Sequence, residues 1–308
     1  MIRSLATTSL RAATAGAAPS TTRFAAIRAA PTAFRFASTS TPAVTNAARE
    51  AYIEKLAGAD TGITILSLNR PKAKNALSRQ LLAEFRECLD AVRFDADTRV
   101  LVVRSLVDRV FCAGADLKER ATMNPTEVAA FVSSLRAAFS ELEALPMPTI
   151  AAIDGAALGG GLEMALCCDL RVAGPGAKLG LPETKLAIIP GAGGTQRLPR
   201  LIGPAKAKEL IFTGRVLSPA DALAIGVVSR TADDSAVPGA LALAREIVPQ
   251  GPIAVRMAKL AVDRGSQVDL ASGLAFEQTC YAQVIPTEDR LEGLKAFAEK
   301  RTPQYRGQ

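Results

Sequence analysis

Two glutamates and three small-residue turns are the parts of this chain whose types and spacing suit chemistry. Glu163 follows Gly159-Gly160-Gly161 in the stretch Gly155-Ala156-Ala157-Leu158-Gly159-Gly160-Gly161-Leu162-Glu163. Three successive glycines are entropically costly, and they make sense where something approaches the backbone closely. A helix that begins there presents unpaired N–H groups and a partial positive charge, which suit a phosphate or a developing oxyanion. A carboxyl group on an otherwise apolar first turn has its pKa raised, as proton transfer requires. The same position equally suits a glutamate that merely complements the helix dipole. Glu183 lies twenty residues on, after Pro182, beside a second Gly-rich turn, Pro190-Gly191-Ala192-Gly193-Gly194. It reads either as the acid/base partner of Glu163 or as a surface residue paired with Lys185 or Arg197. The third segment is Cys112-Ala113-Gly114-Ala115-Asp116-Leu117-Lys118. Its backbone amides suit half of an oxyanion hole and Lys118 suits a phosphate, although alone it reads as an ordinary loop.

Composition narrows the chemistry. The chain has 308 residues, no histidine and no tryptophan. Ser-His-Asp and Cys-His triads and His-ligated metal sites are therefore excluded, and acid–base work falls to Asp, Glu, Lys, Tyr, Cys or a cofactor. No G-x-G-x-x-G follows a strand and no Gly-Lys-Ser/Thr occurs, which argues against dinucleotide binding and P-loop hydrolysis. The five cysteines (Cys88, Cys112, Cys167, Cys168, Cys280) include no C-x-x-C pair, and they read as free, mostly buried thiols.

The net charge of +7 is unevenly placed: residues 1–49 hold six arginines and no Lys, Asp or Glu, which leaves about +1 for the rest. Residues 1–40, rich in Ala, Ser, Thr and spaced Arg, read as a mitochondrial transit peptide cleaved near Arg35–Ser38, and the expected compartment is the mitochondrial matrix. No run of 18 apolar residues occurs, so no membrane span is expected.

The elements that must position the glutamates are legible. A strand is predicted over 62–68, and an amphipathic helix over 78–94 with Ser78 as N-cap. A buried strand follows at 100–103, a helix from Pro125 to about Leu145, and a strand over 149–153 that leads into the glycine triplet. Strands and helices alternate to about residue 231. Helices are then expected at 236–248, 252–265, 269–283 and 287–298. The chain divides into an α/β part over 41–233 and a helical part over 234–308, which docks on a neighbouring subunit or on its parent domain.

Taken together, Cys112–Asp116, Ala157–Glu163 and Pro182-Glu183 with Ile189–Arg197 resemble the crotonase (enoyl-CoA hydratase/isomerase) superfamily in order and spacing. CAGADLKERA (112–121), ETKLAIIPG (183–191), GGTQRLPR (193–200) and IPTEDRLEGLKAFAEKR (285–301) resemble the branch that hydrates 3-methylglutaconyl-CoA in leucine degradation. A general short-chain enoyl-CoA hydratase or an enoyl-CoA isomerase is the alternative. The resemblance implies an α/β spiral of ββα units with a helical C-terminal trimerisation region, assembled as a trimer or hexamer. It implies that the Ala115 and Gly160 amides form the oxyanion hole and that Glu163 and Glu183 are the catalytic pair, with Glu163 as base and Glu183 as acid. It also implies acyl-CoA contacts at Ala115, Asp116, Leu117, Lys118 and Gly160, an adenine-side contact at Lys72, Ala73 and Lys74, and a reach to the coenzyme by Phe297 and Lys300. No metal or separate cofactor is implied, because coenzyme A enters as part of the substrate thioester. RNA binding, which the same branch raises, is not expected. The matching helix, 78–94, sets Arg79, Arg86 and Arg93 against Glu84, Glu87 and Asp90, and a neutral face is poorly suited to phosphates.

Overall fold

The computed structural model describes residues 49–308. The leader expected over residues 1–40, with its cleavage bond, lies outside them. In chain order the first half runs β1 (Ala51–Lys55), β2 (Ile63–Leu68), α1 (Arg79–Arg93), β3 (Val100–Ser105), β4 (Val110–Cys112), α2 (Leu117–Arg120), α3 (Pro125–Glu143), β5 (Thr149–Ile153), β6 (Ala156–Leu158) and α4 (Gly160–Ala165). The second half runs β7 (Leu170–Ala173), β8 (Lys178–Gly180), α5 (Gly194–Ile202), α6 (Pro204–Thr213), β9 (Val216–Leu217), α7 (Pro219–Ala224), β10 (Arg230–Thr231), α8 (Ala236–Ile247), α9 (Pro252–Gly265), α10 (Leu270–Val284) and α11 (Glu288–Glu299).

From β3 to β8 successive strands alternate between two sheets. One sheet has the order β1-β2-β3-β5-β7-β10 and the other β4-β6-β8-β9. The inner pairs β2–β3, β3–β5, β5–β7, β4–β6 and β6–β8 are parallel, while β1 and β9 run antiparallel at their edges. Each step from β3 to β4, β5 to β6 and β7 to β8 crosses between sheets, and a helical segment follows before the next step. This is the expected spiral of ββα units.

The predicted elements form for the expected reasons. The Ser78 hydroxyl accepts the Leu81 N–H at 3.1 Å, and Leu81, Leu82, Phe85, Leu89 and Val92 turn the apolar stripe of α1 into the core. Asn124 and Glu127 form a capping box ahead of α3, which ends at Glu143, just short of Leu145. β2, β3 and β5 bury residues on both faces, as the continuous apolar runs Val100–Val103 and Ile150–Ile153 require, and in β2 Thr64 and Ser67 are buried with their apolar neighbours. The strand β1 carries little periodic signal, since only Ala51 in it is fully buried.

All four C-terminal helices form, and they bury different amounts. α8 lays Ala236, Ala240, Leu243 and Ala244 against Ile63, Ile65, Val100, Val102, Ile150 and Val172 of the six-stranded sheet. By contrast α9 has no buried residue, and α10 buries only Cys280. Leu260, Val262, Leu270, Leu274, Tyr281, Leu291, Leu294 and Phe297 leave α9–α11 with a broad exposed apolar face. The five cysteines are free and buried. Among the described residues no helix is long and apolar enough to cross a membrane.

Candidate active site

The glycine triplet is the turn from β6 into α4. An added Cβ at Gly161 would lie 2.1 Å from the Cys112 carbonyl oxygen, and one at Gly114 would lie 2.8 Å from the Leu158 oxygen. The 112–116 loop and the start of α4 therefore touch backbone to backbone, which only glycine permits. A Cβ built on Gly160 would sit 3.9 Å from the Ala115 nitrogen. This contact sets the Ala115 and Gly160 amides across one narrow gap.

The amides beside them are occupied. Leu77 N–H donates to Gly114 C=O, Asp116 N–H to Leu77 C=O, and Gly159 N–H to Gly180 C=O. Among the described residues the Ala115 and Gly160 N–H groups have no such acceptor. Gly160 is also the first residue of α4, where the helix leaves its amides unpaired and partly positive. Two free N–H groups set this close can hold a carbonyl oxygen and stabilise the charge that develops on it.

Both glutamates stand beside this gap. Glu163, one turn into α4, is 3% exposed. Its Oε1 accepts N–H bonds from Ala192 and Gly194, each at 2.8 Å. The Pro190–Gly194 turn is thus a cradle for Glu163, a role that spacing alone did not reveal. Glu183 lies in the short 3-10 turn Pro182–Leu186, and its Oε1 comes within 3.2 Å of a Cβ built on Gly159. Its Oε2 is buried without a hydrogen-bond partner. The alternative pairing of Glu183 with Lys185 or Arg197 does not form. Arg197 pairs with Glu143 at 2.7 Å instead.

The two carboxyls are tuned differently. Burial pushes Glu163 above the ordinary carboxyl value, while the Gly194 and Ala192 amides and the charges of Arg197 and Arg136 pull it back. For Glu183 burial outweighs the pull of its own backbone amide and, with the charge of Glu163 added, raises it to about 7. One acid near neutrality beside a buried but better hydrogen-bonded carboxylate is an arrangement suited to proton transfer at both ends of a double bond.

Other expected residues separate into three groups. Lys74 C=O accepts the Ala113 N–H at 3.1 Å, which brings the Lys72–Ala73–Lys74 turn beside the oxyanion loop, with both lysines exposed. Asp116 is buried at the start of α2. Its carboxylate caps α2 through the Lys118 and Glu119 amides and binds Arg70 Nη1 at 2.7 Å, so it holds the loop together instead of presenting a free group to a ligand. Burial alone would raise its pKa, but Arg70 and the α2 amides outweigh it and hold the carboxyl below its usual value. Leu117 and Lys118 remain exposed. Phe297 and Lys300, at the end of α11, are exposed, and no hydrogen bond or ion pair joins them to the glutamates within one chain.

Two supporting residues escaped the sequence reading. Asn75 is fully buried at φ 52°. Its side chain accepts the Arg70 N–H at 2.7 Å and donates to Ser105 and to the Phe111 carbonyl, which fixes the loop ahead of Ala115. Asparagine tolerates the left-handed region better than other side chains do, and its place before Ala76-Leu77 was the available clue. Arg171, buried on β7, donates to the Ala165 and Cys168 carbonyls and anchors the far end of α4.

Residues 58–308 match the family model described as enoyl-CoA hydratase/isomerase. The human mitochondrial methylglutaconyl-CoA hydratase is 55% identical over 264 residues, covering 84% of this chain and 78% of that protein. The mouse mitochondrial enoyl-CoA hydratase domain-containing protein 2 is 56% identical over 263 residues, covering 84% and 89%. The crystal structure of an enoyl-CoA hydratase from Bacillus anthracis superposes with a TM-score of 0.81 at 48% identity, covering 84% of this chain and all of that one. Sequence, fold and the paired glutamates agree: the chain belongs to the enoyl-CoA hydratase/isomerase family.

Proposed function

We propose that this protein is a mitochondrial matrix hydratase that adds water across the C2=C3 bond of a 2-enoyl-CoA, with 3-methylglutaconyl-CoA of leucine degradation as substrate. The observation that carries the reading is the placement of Glu163 and Glu183 beside the unpaired Ala115 and Gly160 amides. These amides grip the thioester oxygen and draw electron density from C3. Glu163, as carboxylate, takes a proton from water as the oxygen bonds to C3. The π pair moves to C2 and onto the carbonyl oxygen, and Glu183 delivers its proton to C2. Glu163 ends protonated and Glu183 ionised, and solvent exchange restores the pair. Loss of one oxyanion donor typically costs about 10²–10³ in rate.

In this reading the Lys72–Lys74 turn and the Asp116–Lys118 backbone line the coenzyme path in the 41–233 core. The 234–308 region carries the oligomer contacts through its apolar α9–α11 face, giving a trimer or hexamer. That assembly brings Phe297 and Lys300 to a neighbouring subunit's coenzyme. The mechanism calls on the two carboxyls and two amides, with coenzyme A arriving as part of the substrate. The mitochondrial names of the relatives support the compartment.

The relative named for a hydratase domain is as similar as the one named for methylglutaconyl-CoA, which favours a general short-chain hydratase as the second reading. A turnover panel of crotonyl-, methylcrotonyl- and 3-methylglutaconyl-CoA separates them. The proposal expects the highest kcat/KM on 3-methylglutaconyl-CoA. A tenfold preference for crotonyl-CoA would overturn the substrate assignment and leave the hydratase chemistry intact.

A further inference from the structure

The turn that cradles Glu163 is itself held by a cation on another helix. Arg136, on α3, points its guanidinium at the Gly191 carbonyl oxygen, with Nε at 3.3 Å and Nη2 at 3.0 Å. Gly191 C=O and Ala192 N–H belong to one planar peptide unit. The N–H end of that unit donates to Glu163 Oε1 at 2.8 Å. A single peptide dipole thus lies between a guanidinium and a buried carboxylate, oriented favourably toward both. Val132, one helical turn before Arg136, meets the same turn, since a Cβ built on Gly191 would lie 3.1 Å from its Cγ1. Unlike Arg197, which is paired with Glu143, Arg136 forms no ion pair among the described residues.

We propose that Arg136 is a positioning residue for the base, clamping the Gly191–Ala192 peptide so that its N–H end holds Glu163 in the ionised, receptive state. The inference rests on Glu163 acting as the base in the proposed hydration. It explains how two neighbouring carboxyls take different roles: Glu163 has a peptide backed by a cation, and Glu183 does not. The charged and titratable groups facing Glu163 are Arg136 from α3, Arg197 from α5 with its partner Glu143, Glu183 from the Pro182–Leu186 turn, and Cys167 just beyond α4, whose thiol donates to the Glu163 carbonyl. Of the two cations, Arg136 is the exposed one, and its replacement disturbs no buried packing.

The test is the pH dependence of kcat/KM for enoyl-CoA hydration by Arg136→Met, Arg136→Gln and Arg136→Lys. Without the cation the Glu163 carboxylate is less favoured, so the acidic limb moves to higher pH. Arg136→Met loses roughly two- to fivefold at a pH on that limb and returns to the wild-type rate on the plateau, a size set by a solvent-exposed charge. Arg136→Lys keeps the wild-type limb. Arg136→Gln retains a donor without the charge and follows the Met variant, which preserves the test should Arg136→Met fail to fold. An unmoved acidic limb in both neutral variants, or an equal loss at every pH, overturns the proposal. Glu163→Gln, run alongside, separates the two levels. Full turnover in Glu163→Gln sinks the base assignment itself, whereas lost turnover with unmoved Arg136 profiles sinks only the clamp.

Discussion

Glu163 and Glu183 are near enough for the charge of one to act on the other, but their environments differ: Glu163 Oε1 receives two amides at 2.8 Å, and Glu183 Oε2 is buried with no partner. This asymmetry suits the two roles proposed for them. The carboxyl with amides is the easier to ionise, and the one without them keeps its proton to near neutrality.

The first consequence is a pH profile. Glu183 sits at about 7 because burial and the neighbouring Glu163 charge both disfavour its anion. Hydration needs Glu183 protonated, so raising the pH through that value removes the acid. The kcat/KM for enoyl-CoA hydration should fall above about pH 7, approaching tenfold per pH unit. A stopped-flow or absorbance assay from pH 5 to 9 measures it, and a rate flat to pH 9 would contradict the assignment.

The same group makes the fold less stable in alkali. The Glu183 pKa in the folded chain lies above its ordinary 4.5, so the folded state holds the proton more tightly than the unfolded one. The resulting stabilisation is complete below 4.5, declines between 4.5 and about 7, and is absent above. Glu183→Gln, which has no charge to bury, should therefore be more stable than wild type at pH 8.5 by about 1–2 kcal/mol, after allowance for partial solvent access. Denaturant melts at pH 5 and 8.5 give the comparison. A Gln variant that is less stable at pH 8.5 would contradict the burial argument.

Much of this site was legible in the sequence because its demands are local. The glycine triplet before Glu163 and the small-residue turn at 112–116 exist to let backbones meet, and no other residue type serves at Gly161 or Gly114. Four C-terminal helices were readable from apolar spacing and from Gly and Pro punctuation. What escaped depends on contacts between distant segments. The cradle of Glu163 joins positions 29 and 31 residues apart, and the Asn75 bonds to Ser105 and Phe111 span 30 and 36. The pairing of Asp116 with Arg70 likewise appears only when the end of β2 and the 112–116 loop are brought together.

Asn75 supports the oxyanion loop through a buried, fully used side-chain amide. Asn75→Ala strands the Arg70 N–H and the Phe111 carbonyl and keeps the left-handed backbone without the residue that tolerates it. The variant should lose about 1–3 kcal/mol of stability in a urea melt. Its kcat should fall further than its affinity for an unreactive acyl-CoA. Wild-type kcat in a folded Asn75→Ala protein would deny that the loop is positioned this way.

The α11 end tests the proposed reach between subunits. Phe297 and Lys300 touch neither glutamate within one chain, so their substitution should leave kcat alone. Phe297→Ser with Lys300→Ala should raise KM for enoyl-CoA severalfold in the oligomer, consistent with one lost charge contact and one lost apolar contact. Steady-state kinetics, with the mass in solution checked by light scattering, would decide it. Unchanged KM in an intact oligomer removes both residues from the coenzyme site.

The most direct measurement is hydration of a 2-enoyl-CoA by Glu163→Gln and Glu183→Gln, with binding of a saturated acyl-CoA measured by calorimetry on the same preparations. Each variant should lose about 10²–10⁴ in kcat while Kd stays within a few fold, since each removes one proton-transfer group and leaves the amides in place. Either variant retaining more than about a tenth of wild-type turnover would contradict the paired-carboxyl mechanism.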